Sequence, residues 1–259
     1  VHDQLHRDEQ AQGARWLRPE LVAPWWEIVP VLCVMLGPFA WSAVTTGLHG
    51  QNLEFIEKLI NTRGMTRNTA IESGLLALLL FYLRWRGWRP ADFKIRIDAI
   101  GTLLAVPLAL TAVFANLFVS LLTLILILAA TLLYVQPHDL YAYLLATAPK
   151  APLHPPDLAW LAIFVGSIVN AYLEELVFMG YAFHQFAAKR NPLFALLVMV
   201  ALRMLLHTYK GVVGVLGIGA FSLVYGLAYI KLRRLWPLIL AHILIDIAAM
   251  AAFKLLLSR

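Results

Sequence analysis

The chain has 259 residues, 61% hydrophobic and 14% charged, with one cysteine and a net charge of +6. A soluble domain carries about 25% charged residues, and here the apolar residues come in long blocks. The composition therefore excludes a soluble globular domain and predicts an all-α, polytopic helical membrane protein of about seven transmembrane helices. The basic residues sit in loops between apolar blocks, which is a topology signal and argues against nucleic acid as a partner.

The first 24 residues read as a polar tail, without the apolar core of a cleaved signal peptide. Residues 25–156 are expected to hold three spans and their loops. The first, about 26–48, follows the interfacial aromatics of "PWW" and contains Cys33, expected to be a buried, inert thiol. After a polar stretch, 49–67, a second span is predicted over 68–84. The loop "RWRGWRPADFKIR" that follows is the most basic in the chain and is placed in the cytoplasm. The third block, 99–135, exceeds the roughly 20 residues of one straight span. It is read as one long or tilted helix that Pro107 can kink. The proline-containing loop 136–156 is placed outside.

Residues 157–259 are expected to form a four-span core within the same membrane domain. The fourth span runs over 157–186 with Asp157 as its N-cap, the fifth over 192–208, the sixth over 212–231 and the seventh over 236–257. Seven spans put every strongly basic loop on one side, with the N-terminus cytoplasmic. The sixth span, "GVVGVLGIGAFSLVYG", is rich in small residues, which permit close helix packing.

Six ionisable residues fall inside these last spans: Glu174, Glu175, Arg203, His207, His242 and Asp246. Such groups are expensive in a bilayer and usually face a cavity or one another. Glu175 lies 16 residues before Asn191 and His207 lies 16 after it, so two antiparallel helices place them at equal depth. Arg203 and His207, and likewise His242 and Asp246, are spaced i,i+4 and share a face. The remaining histidines, His2, His6, His49, His138, His154 and His184, are read as solvated or interfacial. A carboxylate can take a proton from water, one imidazole can hold that water, and another can stabilise an oxyanion. There is no HExxH, no GxSxG and no cysteine beside a histidine. Two histidines and a glutamate are also the ligand types of a zinc site.

At these residues the sequence resembles the CAAX protease and bacteriocin-processing intramembrane proteases, also called the ABI or glutamic intramembrane family. The motifs read "EELVFMG" (174–180), "RMLLH" (203–207) and "HILID" (242–246), and the resemblance covers about 157–250. It implies that Glu174 acts as general base with His207 beside it, that His242 and Asp246 stabilise the oxyanion, and that Glu175 orients the site. Two positions depart from the family pattern: its motif arginine is Met179 here, and its motif phenylalanine is Arg203. A cation lost from the fourth helix thus reappears on the fifth. The implied activity is hydrolysis of a peptide bond in a membrane-anchored or lipid-modified protein or peptide tail, without a cofactor, zinc being the less favoured alternative. The expected partners are that substrate and the lipid bilayer, with the charged motifs in the inner half of a bacterial inner membrane. The alternatives are a non-catalytic immunity or scaffold protein and, less favoured, a proton-coupled transporter, for which the chain shows no internal repeat.

Overall fold

The computed structural model describes residues 18–48, 61–93, 95, 97–134 and 157–257. The loop 136–156, Lys94 and Arg96 of the basic loop, the tail before Arg18, and His2, His6, His49, His138 and His154 lie outside the described residues.

Seven helices follow in order: α1 (Trp25–Leu48), α2 (Thr62–Trp85), α3 (Ala99–Tyr134), α4 (Trp160–Lys189), α5 (Pro192–Leu206), α6 (Gly211–Leu232) and α7 (Trp236–Leu257). No strand occurs among the described residues. Five of the helices, α1, α3, α4, α6 and α7, are long and apolar enough to cross a membrane. The chain is an integral membrane protein. The two exceptions have different causes. The first half of α2, "TRGMTRNTAIES", is polar, and α5 has only 15 residues. At about 1.5 Å per residue α5 falls short of a hydrocarbon core of about 30 Å.

The helix ends follow from the residues at them. Asn61 and Asn191 cap α2 and α5, each side-chain carbonyl accepting a backbone N–H at 2.8 Å, from Gly64 and Phe194. Pro192 follows Asn191 at the first helical position, where its missing N–H is no loss. The expected cap at Asp157 is not formed. The N-cap of α4 is Ala159, without a side-chain bond, and the Asp157 carbonyl instead accepts the Thr62 hydroxyl at 2.5 Å, tying the start of α4 to that of α2. The third block is one continuous helix with Pro107 inside it.

The core lies among α4, α5, α6 and α7. Helix α3 packs on α6 and α7, α2 packs on α4, and α1 lies against α5 and the short turn Thr208–Lys210. The small residues of α6 serve these contacts. A Cβ added at Gly217 would fall 2.8 Å from Asn116 Oδ1 and 3.1 Å from the Asn116 carbonyl oxygen on α3.

Three sequence expectations need correction. Cys33 is exposed, because α1 lies at the rim of the bundle and the apolar surroundings its sequence anticipates are lipid. His184 is fully buried, with its Nε2 2.6 Å from the Tyr229 hydroxyl and its ring beside Trp88 and Phe183. Residues 18–24 are anchored rather than tail-like: Leu21 and Ala23 are buried, and the Gln185 side chain bonds the Leu21 carbonyl at 2.9 Å and the Ala23 N–H at 2.8 Å. Arg18 joins Asp92 at 2.7 Å. Partial burial pushes the Asp92 carboxyl up, but the hydrogen bonds from Arg18 and from the Arg89 N–H, with their charges, outweigh it and hold the pKa below the ordinary carboxylate value.

Gly217→Val forces a branched side chain into the contact between α3 and α6. Overpacking of this kind costs about 1–3 kcal/mol, so the variant should unfold at a lower temperature than wild type in detergent, measured by circular dichroism.

Candidate active site

Helix α4 carries the two glutamates at its centre: residues 160–173 precede Glu174 and residues 176–189 follow Glu175. The pair therefore sits midway along the helix. Directly after the pair the helix widens into a π-helical segment, Leu176–Ala182, where the Phe183 N–H donates to the Phe178 carbonyl five residues back. Such interruptions are frequent at functional sites.

One residue apart, the glutamates face different surroundings. Glu175 is fully buried, and its Oε1 accepts Arg203 Nη2 at 2.7 Å and His242 Nδ1 at 2.9 Å. It thus ties α4 to α5 and α7. Glu174 Oε2 lies 3.6 Å from Arg203 Nη2, and the side chain remains open to cavities. Arg203 itself is almost fully buried, with its guanidinium 4.6 Å from the Phe178 ring centre and 5.6 Å from that of Phe221. Its Nε and Nη1 have no hydrogen-bond partner, so ring faces take the place of acceptors.

His207 stands at the C-terminal end of α5, where the backbone leaves the helix. Its Nδ1 lies 2.9 Å from the Arg203 carbonyl oxygen. A carbonyl only accepts, so Nδ1 carries the proton and Nε2 presents a lone pair in the neutral ring. The same reasoning makes His242 Nδ1 the donor to Glu175. His242 Nε2 lies 3.6 Å from Asp246 Oδ1, and Asp246 in turn accepts Asn170 Nδ2 at 2.9 Å.

All six ionisable residues singled out in the sequence are thus brought to one region. Three cavities meet there. A largely apolar groove of about 820 Å³ runs between α3, α6 and α7, and two smaller cavities of about 230 and 270 Å³ lie on the side of α1, α2 and α4. Glu174 and His207 line all three. Among the described residues, no three His, Cys, Asp or Glu side chains are grouped so as to hold a metal ion.

Sequence reasoning missed Glu72 and Asn170. Both line the two smaller cavities, and Glu72 lies on α2, outside the last four spans that hold the six ionisable residues. The signal for Asn170 was available: it precedes Glu174 by four residues on one helix and so shares its face.

The fold and site define a helical membrane protein with a carboxylate–histidine centre at mid-bundle. Residues 156–248 match the family model described as "Rce1-like: Type II CAAX prenyl endopeptidase Rce1-like". The match spans the start of α4 to most of α7, less than half of the chain, and contains all three motifs that carry the resemblance. Neither the curated proteins nor the solved structures gave a match.

Arg203→Met leaves Glu175 buried without its cation. Breaking a buried pair from one side costs about 3–5 kcal/mol, and the variant should lose stability of that order in thermal or denaturant unfolding. Arg203→Lys should recover only part, since an ammonium lacks the planar fork and the ring-stacking face of Arg. Met179 is buried one helical turn beyond Glu175, so Arg203→Met combined with Met179→Arg should also recover part of the loss.

Proposed function

We propose that the protein is an intramembrane endopeptidase of the CAAX-protease type, cleaving a peptide bond in a membrane-anchored or lipid-modified protein or peptide tail. The observation that carries this reading is the position of Glu174 and His207, the two residues shared by the apolar groove and by both smaller cavities. A peptide in the groove and a water from the other side would meet at these two side chains.

In this reading Glu174 is the general base. It takes a proton from water as the water oxygen attacks the scissile carbonyl, and passes the proton to the leaving nitrogen when the C–N bond breaks. His207 holds the same water through the Nε2 lone pair that its Nδ1 bond to Arg203 leaves free. Glu175 does not share this task. Its Oε1 is engaged by Arg203 and His242, which suits a role in orienting the site. His242 points Nε2 toward Asp246, and as an imidazolium it would have an N–H there to offer a developing oxyanion. Asp246, which accepts from Asn170, orients that ring rather than donating. No step is routed through a metal, and a chelator should leave the activity unchanged. Loss of activity on removal of stoichiometric zinc would replace this mechanism with a metalloprotease one.

The end of the bundle bearing Arg84, Arg86, Arg89, Lys189, Arg190 and Arg234 is the basic one, and the positive-inside rule assigns it to the cytoplasm.

Glu174→Ala and His207→Ala should each lower cleavage of a peptide library by about 10²–10⁴-fold. Glu174→Ala should leave the unfolding temperature near that of wild type, whereas His207→Ala, which also removes the bond to the Arg203 carbonyl, should lower it. Product formation followed by mass spectrometry on detergent-solubilised protein is the measurement. Cleavage by either variant at the wild-type rate would refute the assignment, and a wild-type protein that cleaves nothing would favour the non-catalytic reading.

A further inference from the structure

Glu72 lies on α2, outside the segment that matches the family. It is half-buried and lines both smaller cavities together with Glu174, His207 and Asn170. Its carboxyl makes no hydrogen bond or ion pair among the described residues. A carboxyl removed from bulk water needs a partner, since leaving it unsatisfied costs several kcal/mol or more.

A second polar residue lines the same chamber. Ser167 on α4 is 3% exposed, and its Oγ has no hydrogen-bond partner. A helical serine can bond back to the carbonyl four residues earlier, as the buried Ser222 does to Ile218 at 2.8 Å and the exposed Ser73 does to Thr69 at 2.7 Å. Ser167 makes no such bond, and the residue lies in the wall of the chamber with Glu72, Asn68 and Asn170. The volume of about 270 Å³ is ample for more than one water, and the wall supplies the two to four polar partners a buried water needs.

The contrast with the groove is chemical. Val106, Leu110, Val113, Leu117 and Phe221 make the groove wall apolar. A substrate lying there would close that side to water, so the hydrolytic water must arrive from elsewhere. The polar chamber extends from Glu174 past Glu72 to Met65, toward the end of the bundle where α2 and α4 begin.

We propose that the chamber between α2, α4 and α7 is the water channel of the site, and that Glu72 is a positioning residue that holds water there for Glu174. This inference rests on the hydrolytic reading above, and its test separates the two.

The first arm needs no activity. In a Cys33→Ser background, Asn68→Cys and Val113→Cys are placed in proteoliposomes and treated from either face with a charged methanethiosulfonate reagent or with N-ethylmaleimide. Asn68→Cys should react with the charged reagent from one face, whereas Val113→Cys should react only with the membrane-permeant maleimide. The second arm is kinetic. Glu72→Leu should lower kcat by roughly 10²-fold, the effect of misplacing a reacting group by about 1 Å, at unchanged KM. Glu72→Gln, which still hydrogen-bonds water, should restore most of that loss, and a purely structural role would not separate kcat from KM in this way. Failure of the charged reagent to reach Asn68→Cys from either face overturns the channel. Wild-type kcat in Glu72→Leu, or a rise in KM at constant kcat, overturns the role of Glu72. If wild type cleaves no peptide, the proteolytic reading fails and the labelling decides the channel alone.

Discussion

The buried pair between Arg203 and Glu175 is the contact on which the rest of the site depends. A guanidinium and a carboxylate removed from water are stable only if each meets the other with good geometry and the leftover groups are satisfied. Glu175 Oε1 meets Arg203 at 2.7 Å and His242 at 2.9 Å, so one oxygen joins α4, α5 and α7. The Arg203 nitrogens that find no acceptor face Phe178, Phe221 and Tyr225. This explains how two adjacent glutamates divide their tasks. A step of one residue turns the side chain about 100° around the helix, enough to lock Glu175 into the three-helix junction and to leave Glu174 beside the cation yet open to the cavities.

The second constraint is the end of α5 at mid-bundle. A helix that stops away from water leaves its last carbonyls to be satisfied by the protein. Here His207 does much of this: its ring donates to the Arg203 carbonyl and its backbone N–H to Met204 at 3.1 Å. The Thr208 hydroxyl covers Leu205, and the Lys210 N–H returns to His207. Gly211, at φ +68°, then turns the chain into α6. The proton position on His207 is therefore a by-product of capping a helix. The same contact that makes a short α5 tolerable orients the lone pair that the proposed mechanism uses.

Much of this was legible in the sequence because spacing survives folding. The helix α3 emerged as one element from an unbroken apolar run. The matched distances of Glu175 and His207 from Asn191 brought α4 and α5 into register. What the sequence hid has physical causes. In a bilayer, core and surroundings are equally apolar, so the composition of α1 could not say that Cys33 faces outward. Residues 62–67 read as part of a polar stretch, so Glu72 falls in the first turns of the predicted span, when it lies midway along a 24-residue helix. His184 and Gln185 sit just before a basic loop and look interfacial. The segment 18–24 and the Trp88–Phe93 stack cover that end of α4, so both side chains are buried.

The cavities that meet at Glu174 and His207 differ in the helices that wall them. Hydrolysis inside a bilayer needs an apolar surface for the substrate and a polar one for water, and a single cavity lined by both would wet the first or dry the second. The bundle separates them. Helix α3, nearly uniform in hydrophobicity, walls the groove, and it can approach α6 closely because Gly217 offers no side chain against Asn116. Helix α2, polar in its first half, walls the chamber and is tied at its start to α4 through Thr62 and Asp157. Neither α2 nor α3 lies in the segment that matches the family. In the proposed mechanism the four-helix core supplies the reacting groups, and the helices outside it would determine what reaches them.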